Sequence, residues 1–352
     1  MEFTNDVVVG LEVHAEVNTK TKLFCGCSIK GRDEPNIRTC PVCVGHPGSK
    51  PVVNKKGVEY AIKLCLALNC ELAPSLVFSR KSYFYPDMSK NYQITQYEIP
   101  LGKEGKLKLH GGKDIGITRV HLEEDPASLV HPAGMKDSAF VLVDYNRSGT
   151  MLLEIVTKPE LSSPEEARDF MKQLITVLGY LEIFDENEGI IKADANVSIK
   201  ESGFERVEIK NITGFKEIET ALKYEIERQK KAVATGKKIE QETRGWDSEK
   251  GVTFTLRKKE TEEDYGYIID TDLVKVDITK KWVDTVKETL PELAQEKSMK
   301  FVEKGVKKED ADVLSSDRKL AEMYDKVAKK VDPVLAAKWL RRELMRVLNF
   351  NK

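Results

Sequence analysis

The stretch Val7–Val17 restricts the fold more than any other part of the chain. Valine and leucine occupy positions 7, 9, 11, 13 and 17, while Glu12, His14 and Glu16 fall on the opposite parity. Alternate side chains of a strand point to opposite faces and stand about 6.6–7 Å apart along one face. This segment therefore reads as a strand with an apolar underside and a row of two carboxylates and an imidazole on top. Three later segments repeat the device. Over Ile115–Asp125, Arg119, His121, Glu123 and Asp125 share one parity, and Val120, Leu122 and Glu124 share the other. Lys192, Asp194, Asn196 and Ser198 alternate with the apolar residues of Ile191–Ile199, and Arg206, Glu208 and Lys210 alternate with Val207 and Ile209. Phe140–Arg147 and Met151–Val156 are more apolar strands whose acids are Asp144 and Glu154. Taken singly, each polar row is the solvated face of an antiparallel sheet. Taken together, acids at 12, 123, 194 and 208 would repel one another unless cations lie among them. Oxygen ligands around Mg²⁺, completed by nucleotide phosphates, are the natural solution. Periodicity does not supply the order in which strands pair.

Cys25, Cys27, Cys40 and Cys43 form C-x-C-x12-C-x2-C. Four thiolates at this spacing can close a tetrahedron around Zn²⁺, and a closed site of this kind is structural; the alternative is four unconnected buried cysteines. Cys65 and Cys70 lie beside a helical pattern and read as core packing. No apolar run approaches the length of a membrane span, and the chain enters a strand pattern almost at once. A cytoplasmic protein is expected, and in a reducing compartment cysteines serve metals or remain thiols. The net charge is −1, so a nucleic-acid partner would need a local basic patch.

Helices are expected over Asn54–Asn69, from Ser162-Ser163-Pro164 onward, and over Lys216–Thr235. Arg80–Asp87 and Lys90–Tyr97 are dense in Lys, Tyr and Gln. They read either as an aromatic strand pair with a polar rim or as the wall of a substrate cleft. Arg244 and Arg257 are candidates for neutralising phosphate charge. From about Thr279 the chain turns helical and Lys/Glu-rich, with helices over Lys281–Leu290, Lys308–Val331 and Asp332–Leu348. The expected fold class is α+β, with a domain at 1–285 that carries the cysteine insert at 25–43, and a helical domain at 286–352.

A further set of motifs spans nearly the whole chain. It includes Gly10-Leu11-Glu12-Val13-His14, Cys40-Pro41-Val42-Cys43, Lys81-Ser82-Tyr83-Phe84-Tyr85-Pro86-Asp87, His121-Leu122-Glu123-Glu124-Asp125, Asp144-Tyr145-Asn146-Arg147 and Thr243-Arg244-Gly245-Trp246-Asp247. Together they resemble the B subunits of aspartyl/glutamyl-tRNA(Asn/Gln) amidotransferases (the GatB family). The resemblance implies a glutamine-synthetase-like antiparallel-sheet cradle followed by a small helical domain. It implies ATP-dependent phosphorylation of the side-chain carboxylate of Glu-tRNA(Gln) or Asp-tRNA(Asn), then amidation by tunnelled ammonia, in a ligase that uses glutamine as amide donor. The implied partners are an amidase-type glutaminase subunit (GatA), a small third subunit (GatC) and the misacylated tRNA. By resemblance, Glu12, His14 and Glu124 would hold Mg²⁺, with Glu123, Asp194 and Glu208 near. Lys210 joins Arg244 and Arg257 on the phosphates, and Lys81, Tyr83, Lys90 and Tyr92 would line the ammonia path. Asp264-Tyr265-Gly266-Tyr267-Ile268-Ile269 departs from the family's Asp-Tyr-Arg-Tyr-Phe-Pro pattern and lacks its arginine. A C-terminal tail domain that grips tRNA is expected to be missing. The archaeal glutamine-specific sister subunit is a rival, but its inserted domain has no room between Pro159 and Lys281. A zinc-stabilised RNA-binding scaffold and a metal-dependent hydrolase are the readings from other classes.

Overall fold

The computed structural model describes residues 4, 6–31, 34–134, 138–185, 189–258 and 265–350, with 257, 258 and 349 described by backbone alone. The chain opens with β1 (Val7–Glu16), α1 (Lys55–Ala67), β2 (Glu71–Leu72), β3 (Ser75–Leu76), β4 (Ser79–Ser82), β5 (Tyr92–Thr95), β6 (Gly102–Lys108) and β7 (Asp114–Glu124). It continues through β8 (Ser128–Val130), β9 (Leu142–Asp144), β10 (Met151–Thr157), α2 (Pro164–Tyr180), β11 (Ile191–Ile199), β12 (Val207–Thr213), α3 (Phe215–Ala234), β13 (Glu242–Asp247) and β14 (Val252–Lys258). Two short strands, β15 (Ile268–Ile269) and β16 (Val276–Asp277), precede the helices α4 (Lys280–Lys287), α5 (Ala294–Glu303), α6 (Lys308–Ser315), α7 (Arg318–Val327), α8 (Pro333–Trp339) and α9 (Met345–Phe350).

Nine strands form one sheet in the order β14-β13-β12-β11-β1-β10-β7-β6-β2. Every pairing is antiparallel except β12 with β13. That parallel pair is joined through α3, as a parallel connection requires. The architecture is α+β, as the sequence pattern predicts. The apolar parity of the strands packs under α1, α2 and α3: Val9, Leu11 and Val13 meet Leu64, Phe170, Leu174 and Leu222 in one core. The other parity is left for a site.

Local signals set the helix ends. The Asn54 side chain accepts from the Gly57 amide at 3.2 Å, and that of Ser163 accepts from Glu166 at 3.1 Å, each satisfying an amide that has no partner inside the helix. The single helix expected over Lys308–Val331 is two. Asp317 takes an extended conformation and accepts from the Leu320 amide at 2.7 Å, so it starts α7 afresh. A second core forms where Phe301, Leu314, Leu320, Tyr324 and Leu340 enclose Tyr180 of α2. The Tyr180 hydroxyl donates to the Ser315 carbonyl at 2.7 Å.

Candidate functional site

The polar parity of six neighbouring strands opens into one cavity of about 830 Å³. Register places its groups. His14 on β1 lies opposite Lys192 on β11 and Glu154 on β10, and Glu154 lies opposite His121 on β7. One row of basic groups and a single acid, Lys192–His14–Glu154–His121, thus crosses four strands. Glu12 lies opposite Asp194, and Asn196 opposite Glu208. The acids predicted at 12, 123, 194 and 208 all line this cavity, as do His14, Lys210, Lys81 and Tyr83.

The centre is a cluster of two histidines and two acids. The Nε2 atom of His14 is 3.3 Å from Glu123 Oε1 and 3.5 Å from Glu154 Oε2, and that of His121 is 3.1 Å from Glu154 Oε2. His14, Glu123 and Glu154 each offer a ligand atom, all within 4.8 Å of one another. An imidazole with two carboxylates at this spacing suits a divalent cation that keeps open positions for phosphate oxygens. Burial opposes charge on His14, but its hydrogen bond to Glu154 and the charges of Glu123 and Glu154 prevail and push its pKa up to about 10. Burial raises the Glu123 carboxyl, and the Glu154 charge raises it further. Burial also opposes ionisation of Glu154, yet the two histidines hold it well below the ordinary range. Glu154 is therefore the acid of the pair that gives up its proton more readily.

The folded His14 pKa lies above its unfolded value of about 6.5. Its ion pairs contribute in full below about pH 6.5 and are lost as pH rises through about 10. Urea melts across this window should show the native chain losing more stability than a His14→Gln variant; equal losses would contradict the pairing.

A second group sits beside the first. Lys210 Nζ is 2.8 Å from Asp194 Oδ2 and 3.3 Å from Glu208 Oε1. Burial disfavours its charge, but Asp194 and Glu208 hold its pKa above the ordinary lysine range. Asn196 donates to Glu12 at 3.1 Å, and Thr243 donates to Glu208 at 2.8 Å. Burial raises the Glu12 carboxyl, followed by the charges of Glu154 and Glu208. The facing wall carries Lys81, whose ammonium stands 4.6 Å over the Tyr265 ring, and Tyr97, stacked on Tyr267 at 4.0 Å. Tyr265 and Tyr267 line the cavity, and Gly266 between them has φ +49°. Asp264 lies outside the described residues.

Four predicted residues sit elsewhere, and the side chain of a fifth is not described. Glu124 is on the other parity of β7. It accepts from the Ile94 amide at 2.8 Å and pairs with Lys90. With Lys90 and Tyr92 it lines a separate cavity of about 200 Å³ beside Cys43, so the structure does not bring Glu124 together with Glu12 and His14; Glu123 and Glu154 stand beside His14 instead. Arg244 also points away from the large cavity, because β13 alternates like its neighbours and Thr243 takes the cavity side. Its guanidinium bonds Glu242 and Thr255 at 2.9 Å and lies 3.5 Å from Glu225 of α3. Arg244→Met should destabilise the chain by about 3 kcal/mol, the usual cost of breaking a buried pair. It should leave nucleotide affinity unchanged in a binding titration. The Arg257 side chain lies outside the described residues. Sequence reasoning missed the site roles of Glu154, His121 and Asn196; the signal for Glu154 was a lone acid on an otherwise apolar strand.

The four sulfurs of Cys25, Cys27, Cys40 and Cys43 lie within 4.8 Å of one another and could hold one metal ion. Lys22, fully buried, adds the compensating charge. Its ammonium donates to the carbonyls of Arg38 at 2.8 Å and Tyr145 at 3.2 Å, and to Cys43 Sγ at 3.4 Å. The Cys43 thiol is pulled down to about 4, first by the hydrogen bond with Cys25 and then, against burial, by the Cys40 backbone and Lys22. No helix among the described residues is long and apolar enough to cross a membrane.

Residues 7–284 match the family profile described as the GatB/GatE catalytic domain. The B subunit of the aspartyl/glutamyl-tRNA(Asn/Gln) amidotransferase of Methanospirillum hungatei is 47% identical over 351 residues, covering 98% of this chain and 73% of that protein. Its counterpart in Carboxydothermus hydrogenoformans is 46% identical over 355 residues, covering 98% and 74%. The counterpart in Sulfurisphaera tokodaii is 49% identical over 333 residues, covering 92% and 70%. The chain belongs to the GatB family, the B subunits of tRNA-dependent amidotransferases.

Proposed function

We propose that this chain activates the side-chain carboxylate of glutamate or aspartate misacylated onto tRNA, using ATP, and then passes the activated acid to ammonia. The observation that carries this reading is the convergence of His14, Glu123 and Glu154 with Glu12, Asp194 and Glu208 in one cavity. A carboxylate is a poor electrophile. Transfer of the γ-phosphoryl group to a carboxylate oxygen breaks the bond to the β-phosphate oxygen, releases ADP and leaves an acyl phosphate. Ammonia then attacks the acyl carbon and expels phosphate. In this reading Glu123 and Glu154 would hold a magnesium ion together with His14, which must give up its ring proton to bind it, with Glu12, Asp194 and Glu208 close by. When bound, such an ion neutralises charge on the transferring phosphate. Lys210 stays charged and meets phosphate oxygens from the other side. Lys81 and Tyr83 orient the acceptor acid and, with the smaller cavity at Lys90 and Tyr92, line the route for ammonia. Ammonia comes from an amidase-type glutaminase partner, which a small third subunit supports, in the cytoplasm. The cysteine box holds zinc as a strut. The two cores support a cradle unit and a helical unit. Val286, just past the boundary expected near 285, packs in the first core, which supports a boundary after α4.

The test supplies the assembled complex with ATP, magnesium and misacylated tRNA but no amide donor, and traps with hydroxylamine. A hydroxamate of the aminoacyl side chain, matched by ADP, is expected. ADP without hydroxamate, or hydroxamate without ATP, would overturn the proposal.

A further inference from the structure

Helix α1 ends in a tightly defined turn. Asn69 takes the left-handed conformation at φ 55°. The Cys70 amide donates to the Cys65 carbonyl at 2.8 Å and the Asn69 amide to the Leu66 carbonyl at 3.1 Å. This pair of bonds is the Schellman arrangement, which brings the side chains of its first and sixth residues together on one side of the turn. That contact is usually between apolar groups. Here both residues are cysteines, and both lie against the same glycine, Gly102.

Strand β6 faces the pair with two glycines. A Cβ at Gly102 would lie 2.6 Å from Cys65 Sγ and 3.1 Å from Cys70 Cβ, and one at Gly105 would collide with Cys70 Sγ. The glycines keep open the volume that the two sulfurs occupy. Cys65 is fully buried, whereas Cys70 is partly exposed. Of the two residues only Cys70 reaches the surface, so a reagent would meet Cys70 first and Cys65 could attack only from within. The pair is also independent of the four-cysteine box. Asn54, at the opposite end of α1, donates to the Thr21 and Lys22 carbonyls beside that box.

We propose that Cys65 and Cys70 are a redox modification site, forming an intramolecular disulfide by exchange with a small-molecule disulfide. The Cys70 thiolate attacks one sulfur of the reagent, forming a mixed disulfide and expelling the first small thiolate. Cys65, losing its proton, then attacks Cys70 Sγ and expels the second. Two protein thiols are oxidised to one disulfide, the reagent is reduced to two thiols, and both protons leave with them. The Cys65 side chain beside it holds the Cys70 thiol below its ordinary range, against burial, which favours Cys70 as the thiolate. The bridge would close a short loop across the helix end and fasten α1 to the turn that meets β6, where the Lys106 amide donates to the Leu68 carbonyl at 2.7 Å.

The full chain is equilibrated in buffers of rising oxidised-to-reduced glutathione ratio, denatured, alkylated and digested with trypsin. Cleavage after Lys63 and Arg80 places both cysteines in one peptide, free of the box cysteines. The expected product is that peptide two hydrogens lighter and unalkylated, reverting to the doubly alkylated form with dithiothreitol. In Cys65→Ala the expected product is a stable glutathione adduct on Cys70. The oxidised native chain should melt about 3 °C higher than the reduced chain, a difference absent in Cys65→Ala. A peptide doubly alkylated at every ratio, or a lasting glutathione adduct on Cys70 of the native chain, would overturn the proposal.

Discussion

Glu123→Gln is expected to lower ATP-dependent amidation by about a thousandfold, the cost of losing a ligand to the charge that stabilises phosphoryl transfer. The melting temperature should barely move. Burial and the neighbouring Glu154 already push the Glu123 carboxyl toward its neutral form, so an amide of the same shape asks little of the fold. Glu124→Gln, one residue away, should do the reverse. Its carboxylate pairs with Lys90 in a buried position, and neutralising it strands that ammonium at about 3 kcal/mol. Its effect on binding of a manganese probe should be slight. Manganese titrations followed by electron paramagnetic resonance, with thermal melts of the same samples, separate the two. If Glu124→Gln abolishes manganese binding and Glu123→Gln does not, the assignment made from strand parity is wrong.

The second large effect concerns the cysteine box. Between Glu16 and Lys55 the described residues contain no helix or strand, only the isolated bridge Thr21–Ser28. Such a stretch has little of its own to hold it. Metal bound by four thiolates contributes on the order of 10 kcal/mol to local folding. Chelation, or Cys43→Ala, should therefore lower the melting temperature by roughly 10 °C and open residues 20–50 to proteolysis. Damage should spread along Lys22, whose ammonium ties the box to the Tyr145 carbonyl, and through the smaller cavity, where Cys43 and Glu124 share a wall. A metal-free chain with an unchanged melt and an intact segment would refute the structural role.

Much of this site could be read from the sequence because strand parity is a local property. The rows at Glu12/His14, Glu123, Asp194 and Glu208 follow from period-two alternation alone, and all reach the cavity. What alternation cannot give is the neighbour. His14 meets Glu154 because β1 pairs with β10, a strand that begins 135 positions after the end of β1 (151 − 16). From the sequence alone Glu154, an acid on an apolar strand, is either paired or facing a cleft, and only the strand pairing shows that it is both. Glu124 illustrates the opposite failure. Its parity already set it apart from Glu123, and the resemblance to a family motif overrode that local signal. Arg244 shows a related limit: arginine near acids suggests phosphate chemistry, whereas here it closes a network with Glu225 of α3. The break at Asp317 was legible in principle, since aspartate three residues before Leu320 is a good cap, but apolar periodicity ran across it.

The central claim is that acids from strands far apart in sequence hold a divalent ion which also grips a nucleotide. Its most direct test is a crystal of the complex soaked with manganese and a non-hydrolysable ATP analogue, examined at the manganese absorption edge. The account predicts an anomalous peak within bonding reach of His14, Glu123 and Glu154, with a phosphate oxygen on the same ion. A nucleotide seated elsewhere, or manganese bound only outside this cavity, would contradict it.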